Sequence, residues 1–237
     1  MEDLNSVTLI CPTRKRPHNV RRLIKSVEDT SSGDMKVIIK FYVDDDDETL
    51  EELRAIKVNK EHVNVEICVG PRILMCEMSN VLARKSEEGI LFFCGDDIVM
   101  ESQNWDTEVK GEFEKCEDRI LLVYGDDGLQ GRALATHFFL HTNWVKTLGY
   151  MVPPLFPGDW VDTYVTHLST MLGRRVYRDN IKTIHYHPDA GKAPIDDTYT
   201  EKYQRDAASN AKQLFASSQH LRESDCVKLR KFINEQN

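Results

Sequence analysis

Apolar residues in the first hundred positions fall into short runs, and the segments between these runs show helical periodicity. Each run has the length of a buried strand. Four of them occur, at residues 7–12, 37–43, 63–69 and 90–94. Apolar residues recur every three or four positions in the intervening segments, 20–27, 50–56 and 74–82. This alternation of strand and helix predicts an α/β fold with a doubly wound, mostly parallel sheet.

The second half of the chain has a less regular pattern. Strand-like runs occur at residues 119–124, 136–140 and 176–184. Helical spacing occurs at residues 105–113, 142–148 and 161–172. Residues 191–237 have a mostly helical pattern and contain no repeat or low-complexity linker. We therefore expect a single domain over residues 1–237, with a smaller mixed half at 101–190 and a C-terminal helical extension.

The composition is that of an ordinary soluble globular protein, with 41% hydrophobic and 30% charged residues. The six cysteines include no Cys-x-x-Cys pair, and three of them lie inside strand-like runs. This pattern predicts buried thiols in a reducing compartment. The first residues are acidic without an apolar signal region, and no stretch is long enough to span a bilayer. We expect a cytoplasmic protein without membrane insertion.

The charge distribution limits the classes of partner. A net charge of −8 argues against a protein that coats nucleic acid by bulk attraction. Positive charge is concentrated in two blocks, residues 14–25 and 174–178. Solvated helix faces account for most blocks of this kind. A local positive rim around a phosphate-binding site is the alternative.

The fourth apolar run ends directly in two carboxylates, Asp96 and Asp97. In a parallel sheet, the carboxyl ends of the strands open the ligand crevice. Two adjacent acids repel each other unless a cation or hydrogen-bond donors compensate. A hard divalent cation that also holds a substrate phosphate would compensate them. A solvated turn or a helix-capping pair is the alternative.

Further motifs stand at the ends of predicted strands and at the start of a predicted helix. They are the segment 9–17 with its Pro-Thr-x-x-Arg-Pro pattern, Asp44, the Gly-Asp-Asp segment 95–97, the Asp-Trp-Val-Asp segment 159–162, and the late histidines His185 and His187. In this order, over about residues 7–190, the motifs resemble family-2-like glycosyltransferases of the GT-A fold. The resemblance implies a Rossmann-like GT-A fold with a nucleotide-sugar-binding half at 1–100 and an acceptor and catalytic half at 101–190.

The resemblance also implies a donor site and a metal site. The residues expected at the donor are Pro12, Thr13, Arg14, Arg16, Asp44, Arg72 and Asp96. Asp97 matches the direct ligand of Mn²⁺ or Mg²⁺, with His185 or His187 as a further ligand. Because Tyr186 separates the two histidines, we expect only one of their rings to face the cleft. Gly95 departs from the family pattern, since it stands where the first acid of Asp-x-Asp is expected.

The segment 159–162 matches the acidic motif that supplies the catalytic base in inverting members of the family. We expect Asp162 to be this base, with Asp159 as the second choice. Both acids also suit the start of a helix, where Asp159 could cap the helix and Asp162 could interact with its dipole. The remaining histidines, among them His137 and His167, are expected to be packed or on the surface.

The function implied by the resemblance is metal-dependent transfer of a hexosyl or pentosyl group from a nucleotide sugar, expected to be a UDP-sugar, to an acceptor hydroxyl with inversion. The acceptors that fit are a saccharide, a protein, a small molecule or a hydroxymethylated base in DNA. A nucleotidyltransferase is the nearest rival, although residues 12–20 contain no glycine and so lack its Gly-rich loop. A catalytically inactive nucleotide-sugar-binding module is the alternative from another class.

Overall fold

The computed structural model describes residues 4–86 and 89–236. Over these residues the chain forms eight strands: β1 (Ser6–Thr13), β2 (Lys36–Asp44), β3 (Val63–Gly70), β4 (Ile90–Phe93), β5 (Ile98–Met100), β6 (Leu122–Asp126), β7 (Phe138–His141) and β8 (Arg175–His185). Helices in the same ranges are α1 (Pro17–Thr30), α2 (Leu50–Arg54), α3 (Met75–Arg84), α4 (Trp105–Glu114), α5 (Thr142–Leu148), α6 (Val161–Leu172), α7 (Asp197–Ser209), α8 (Ala211–Ser217) and α9 (Gln219–Gln236).

The strands form one mixed sheet in the order β3-β2-β1-β4-β7-β6-β8-β5. The first four strands of this order are parallel to one another. β7 is antiparallel to both β4 and β6, β6 is parallel to β8, and β5 is antiparallel to β8. The predicted fold class, a mostly parallel α/β sheet with a smaller mixed half and C-terminal helices, is confirmed.

The central strands are buried on both faces because consecutive side chains point to opposite sides of the sheet. Phe92 belongs to the core cluster that includes the buried residues of α1 and α4, and Phe93 to the cluster beneath α5 and α6. Phe92 stacks on Phe139 at a centroid distance of 4.1 Å, and Phe93 stacks on Phe138 at 4.8 Å. These pairs tie β4 to β7, the point where the parallel half meets the mixed half.

The C-terminal helices complete the fold on the side of the mixed half. α9 packs against α5 and α6, while α7 crosses the edge of the sheet at which β1, β2 and β4 end. Within residues 4–86 and 89–236, none of the helices is both long and apolar enough to cross a bilayer. The six cysteines are unpaired, and five of them are buried as predicted.

Candidate functional site

A cavity of about 580 Å³ opens at the carboxyl ends of β1, β2 and β4. The start of α6 and one side of α7 close it from the other side. The twelve residues selected from the sequence all line this cavity: Pro12, Thr13, Arg14, Arg16, Asp44, Arg72, Asp96, Asp97, Asp159, Asp162, His185 and His187. The topology therefore brings the dispersed motifs together at one site.

Arg14 and Asp44 form the part of the site at the end of β1 and β2. Arg14 Nη1 lies 2.8 Å from Asp44 Oδ2, and the guanidinium also binds Asp46 at 2.5 Å. Asp44 is 1% exposed, and its second oxygen, Oδ1, is buried without a hydrogen-bond partner within residues 4–86 and 89–236. Burial raises the pKa of Asp44 despite the Arg14 charge. Asp44 Oδ1 is thus available for a donor group of a ligand.

Asp96 holds the ends of β1, β4 and α1 together. Its Oδ2 accepts a hydrogen bond from Thr13 Oγ1 at 2.6 Å. Its Oδ1 lies 3.3 Å from Arg16 Nη1 and 3.3 Å from Asn19 Nδ2. Burial and the adjacent Asp97 carboxylate raise the pKa of Asp96, although Arg16 opposes this. Protein donors contact both oxygens of Asp96, so its first role is to position the neighbouring groups.

Asp97 stands at the centre of a group of buried polar rings. Its Oδ2 accepts a hydrogen bond from the Tyr199 hydroxyl and lies 3.4 Å from His185 Nε2. Burial alone would raise the pKa of Asp97, but the contacts with His185 and Tyr199 hold this pKa below its usual value. Asp97 is therefore an ionised carboxylate at the floor of the cavity.

Both late histidines line the cavity, so the expectation that only one of them faces the cleft is wrong. Their ring centroids are 5.0 Å apart. The physical reason is the strand period, since residues two positions apart in extended chain lie on the same side. Tyr186, between them, points away and stacks under the guanidinium of Arg22 at 4.0 Å.

His137, which was expected to be a packed or surface histidine, also lines the cavity. Its ring lies 4.7 Å from that of His185, and both of its nitrogens are buried without a hydrogen-bond partner in the described part of the chain. Burial, with a further contribution from His185, lowers the pKa of His137 to about 3. Sequence reasoning missed this residue because His137 comes just before β7, far along the chain from the acidic motifs.

The donor atoms around Asp97 fit a divalent cation that also binds phosphate. Among the described residues, no group of three or more His, Cys, Asp or Glu is arranged to hold an ion. Asp97 and His185 nevertheless supply one carboxylate and one imidazole, and His185 Nδ1 is a buried nitrogen without a partner. Mg²⁺ and related ions in phosphate-transfer sites take one or two protein ligands and complete their coordination with substrate phosphates. The residues fit such a site.

A steric contact explains why glycine stands at position 95, where the Asp-x-Asp pattern has its first acid. A Cβ atom at this position would lie 2.4 Å from Asp97 Oδ1, which is closer than non-bonded atoms approach. An acidic residue at 95 would therefore displace the Asp97 carboxylate. The departure from the family pattern is coupled to the position of Asp97.

Asp162 and Asp159 differ in environment although both flank the start of α6. Trp160, in the left-handed region with φ of 75°, turns the chain into the helix. Asp162 is half-buried at the cavity, and burial, with a smaller effect of Asp159, raises the pKa of Asp162 to about 6. Asp159 is exposed and forms an ion pair with Lys202 Nζ at 2.5 Å. Asp162 is thus better placed and better tuned to accept a proton near neutral pH.

Helix α7 supplies a second set of site residues that the sequence did not indicate. Asp196, the N-cap of α7, binds the guanidinium of Arg16 through both oxygens, at 2.7 and 2.6 Å. The ring of Tyr199 stacks under the same guanidinium at 4.0 Å. Glu201 forms an ion pair with Arg72. No motif in the helical extension indicated these contacts.

The second basic block makes contacts within the protein. Arg174 binds Asp118 Oδ2 at 2.9 Å, and Arg178 approaches Glu112 at 3.4 Å. Arg175 donates to the carbonyl oxygens of Arg132 and Ala133. The charge of this block is therefore largely compensated and does not form a free positive surface.

The fold is similar to those of solved glycosyltransferase structures. TarS 1-349 of S. aureus in complex with UDP-GlcNAc is 12% identical, with a TM-score of 0.57 over 86% of this chain and 66% of that chain. The mannosyltransferase PcManGT of Pyrobaculum calidifontis, in complex with GDP-Man and Mn²⁺, is 11% identical, with a TM-score of 0.58 over 78% of this chain and 58% of that chain. GalNAc-T7 with UDP, GalNAc and Mn²⁺ is 12% identical, with a TM-score of 0.61 over 78% of this chain and 44% of that chain.

These similarities define the class of fold. The chain has the GT-A fold of glycosyltransferases, and the fold predicted from the sequence motifs is confirmed. No protein-family model and no curated protein sequence matches the chain. The chain spans 59% of the length of TarS 1-349 in another of its solved structures.

Proposed function

We propose that the protein is a glycosyltransferase that moves a sugar from a nucleotide-sugar donor to an acceptor hydroxyl with inversion. The observation that carries the proposal is the single cavity that collects all twelve motif residues at the carboxyl ends of the strands. Within it, an ionised carboxylate, Asp97, and a carboxyl of raised pKa, Asp162, lie on different elements. Two acids with different pKa values suit different roles, Asp97 in phosphate binding and Asp162 in proton transfer.

The nucleoside of the donor lies along the ends of β1 and β2 in this proposal. Asp44 Oδ1, buried and without a partner, accepts a hydrogen bond from a ribose hydroxyl or a base N–H. Pro12 and Thr13 form the adjoining wall. We propose that Arg16 and Arg72 bind the diphosphate in exchange for their contacts with Asp196 and Glu201, since arginine binds phosphate oxygens in a bidentate manner. We propose a UDP-sugar as the donor, as in the complex of TarS.

Asp97 and His185 would hold Mn²⁺ or Mg²⁺, with His187 as a further ligand, and such an ion supplies charge neutralisation for a leaving diphosphate. An imidazole ligand favours Mn²⁺ over Mg²⁺, because Mg²⁺ prefers oxygen ligands alone. Mn²⁺ is also present in the PcManGT and GalNAc-T7 structures. Asp96 keeps Asp97 in place through its own contacts with Thr13 and Arg16.

Asp162 acts as the general base in this proposal and removes the proton of the acceptor hydroxyl as it attacks the anomeric carbon. Its raised pKa of about 6 keeps it ionised at neutral pH and still basic enough to accept that proton. Asp159 is paired with Lys202 and serves to orient the start of α6. The half at 1–100 would bind the donor and the half at 101–190 the acceptor, within one domain. The unpaired thiols support a reducing, cytoplasmic location.

The test is a screen of UDP- and GDP-sugars for release of nucleoside diphosphate, with Mn²⁺ and with EDTA. The acceptor screen that follows includes saccharides, protein, small molecules and hydroxymethylated DNA. Release of UDP or GDP that requires Mn²⁺ and stops in Asp97→Asn supports the proposal. Release of pyrophosphate from a nucleoside triphosphate and a sugar phosphate would indicate a nucleotidyltransferase. Donor binding without turnover under any condition would indicate an inactive binding module.

A further inference from the structure

A further buried carboxylate, Asp127, lines the same cavity and has no part in the chemistry above. It follows β6 and is 3% exposed. Its Oδ1 accepts hydrogen bonds from the backbone N–H groups of Leu129, Gln130 and Gly131, at 3.0, 2.7 and 3.1 Å. This loop geometry fixes the side chain firmly. Its other oxygen, Oδ2, is buried and has no hydrogen-bond partner among the described residues.

Two neighbours of Asp127 also have buried polar atoms that make no hydrogen bond with the described residues. Thr136 Oγ1 and both ring nitrogens of His137 are buried without hydrogen-bond partners in the part of the chain that the structure describes, and both residues line the cavity. Burial would raise the pKa of Asp127, but the three backbone donors hold this pKa below its usual value. A buried polar group without a partner destabilises the folded protein. The backbone hydrogen bonds of the loop hold the Asp127 side chain in place. The cluster of Asp127, Thr136 and His137 is therefore complementary to a polar ligand.

The chemistry of the cluster limits the ligand. An ionised carboxylate can only accept hydrogen bonds, so its partner must donate one. A phosphate group is excluded by its charge. A sugar ring offers several hydroxyl groups that each donate one hydrogen bond and accept others, which suits a carboxylate next to a threonine hydroxyl. The cluster therefore matches a sugar diol.

The position of the cluster relates it to the donor. The ring of His137 lies 4.7 Å from that of His185, and the Asp127 carboxylate is close enough to His137 to act on its pKa. His185 in turn contacts Asp97, where the diphosphate would end. A group bonded to the diphosphate would thus lie near Asp127. In a nucleotide sugar, that group is the sugar.

We propose that Asp127 and Thr136 form the subsite that binds hydroxyl groups of the donor sugar and so select the sugar to be transferred. This inference rests on the proposed function, because it assumes a nucleotide-sugar donor. Asp127 would determine sugar specificity by accepting hydrogen bonds from the sugar hydroxyl groups.

The decisive variant is Asp127→Asn, which keeps Oδ1 for the three backbone donors but replaces Oδ2 by an amide group that donates. Asp126→Asn is the matched control, since Asp126 is the last residue of β6, directly precedes Asp127 and accepts a hydrogen bond from Gly128 N at 3.0 Å. Calorimetry compares UDP with UDP-glucose and UDP-GlcNAc, and GDP with GDP-mannose, each with Mn²⁺. We expect unchanged affinity for the free nucleotide and about tenfold or greater loss of affinity for the nucleotide sugar, equivalent to roughly 1.4 kcal/mol.

Monodeoxy analogues of the preferred donor give a second measurement. The wild type should lose about 10²-fold or more in kcat/KM for the analogue that lacks the bound hydroxyl, because its subsite is left with an unpaired carboxylate. Asp127→Asn should discriminate much less between the same pair. Equal discrimination in both proteins, or a loss confined to the acceptor KM, would overturn the inference. If the wild type binds no nucleotide or nucleotide sugar at all, the proposed function itself fails, and the inference fails with it.

Discussion

The hydroxyl of Tyr199 donates a hydrogen bond to the carboxylate of Asp97, 102 positions earlier in the chain. The bond joins α7 to the segment between β4 and β5, and the Tyr199 ring stacks under Arg16 at 4.0 Å. Asp196 binds the same guanidinium, and Glu201 pairs with Arg72. The two arginines proposed for the diphosphate thus contact carboxylates of α7 or its N-cap. A diphosphate that binds them must replace these carboxylates.

Replacement of Tyr199 by phenylalanine measures the strength of this attachment. Tyr199→Phe keeps the ring under Arg16 and removes only the hydroxyl that donates to a buried charge. Loss of such a bond costs about 1.5–3 kcal/mol, so we expect the free energy of unfolding in urea to fall by that amount. Chemical denaturation without nucleotide or metal measures it.

The control for this measurement is Tyr203→Phe. Tyr203 lies on the same helix and donates to the exposed Asp189 at 3.1 Å. Exposed contacts contribute little, and we expect a change within about 0.5 kcal/mol. Equal effects of the two variants would show that the buried Tyr199–Asp97 hydrogen bond contributes no more to stability than the exposed Tyr203–Asp189 bond.

Gly95→Ala tests the coupling between Gly95 and Asp97. The added Cβ would lie 2.4 Å from Asp97 Oδ1, so the carboxylate must move. We expect weaker Mn²⁺-dependent UDP binding, measured by calorimetry. Gly111→Ala is the control, because a Cβ there meets nothing within 4 Å inside α4. That variant should stabilise the protein by about 0.5–1 kcal/mol without a change in UDP affinity. Unchanged UDP affinity in Gly95→Ala would contradict the steric argument.

The metal site predicts a linkage between cation and nucleotide. Because only two or three protein ligands are available, Mn²⁺ should bind weakly alone and tightly together with UDP. We expect UDP affinity to rise at least about tenfold, roughly 1.4 kcal/mol, when EDTA is replaced by Mn²⁺. Asp97→Asn and His185→Ala should each reduce this gain, while His220→Ala on α9 should not. Equal UDP affinity with EDTA and with Mn²⁺ would exclude the site.

The first half of the fold could be predicted because its signals are local. β1, β2 and β4 are almost wholly buried, so their sequences are mostly apolar. β1 ends at Thr13 and β2 at Asp44, and Asp97 follows shortly after β4. Parallel strands place these ends at one edge by topology alone. The positions of Thr13, Asp44 and Asp97 at one site follow from this rule.

The contribution of α7 could not be predicted because its contacts are long-range. Asp196 meets Arg16 across 180 positions, and nothing in the local pattern distinguishes a carboxylate on an arginine from a solvated one. The same limit applies to Arg174, whose charge counts as free in the sequence but is paired with Asp118 in the fold. Charge can be read from a sequence, whereas the pairing of charges depends on tertiary structure.

Asp162→Asn separates proton transfer from scaffolding. The substitution keeps the size of the side chain and removes its ability to take a proton. We expect donor and metal affinity to be unchanged and kcat to fall by roughly 10²–10⁴, the usual contribution of a general base. In the wild type, kcat/KM should fall as pH decreases below about 6, because the base becomes protonated at its raised pKa. Steady-state kinetics from about one pH unit below this pKa to about two units above it measures both effects.

The pH dependence of stability tests the environment of Asp162 independently of the kinetics. The folded-state pKa of Asp162 is about 6 against an ordinary value of 3.8, so the folded protein holds this proton more tightly than the unfolded chain. The associated stability is fully present below the unfolded pKa and is lost as pH rises through about 6. Asp162→Asn should therefore unfold at a higher temperature than the wild type at neutral pH and at the same temperature near the ordinary pKa.

Asp159→Asn, whose carboxylate is paired with Lys202, should show neither the gain in stability nor the loss of kcat. A large loss of kcat in Asp159→Asn with none in Asp162→Asn would reverse the assignment of the base, whereas full activity in both would place the base elsewhere or indicate a retaining mechanism.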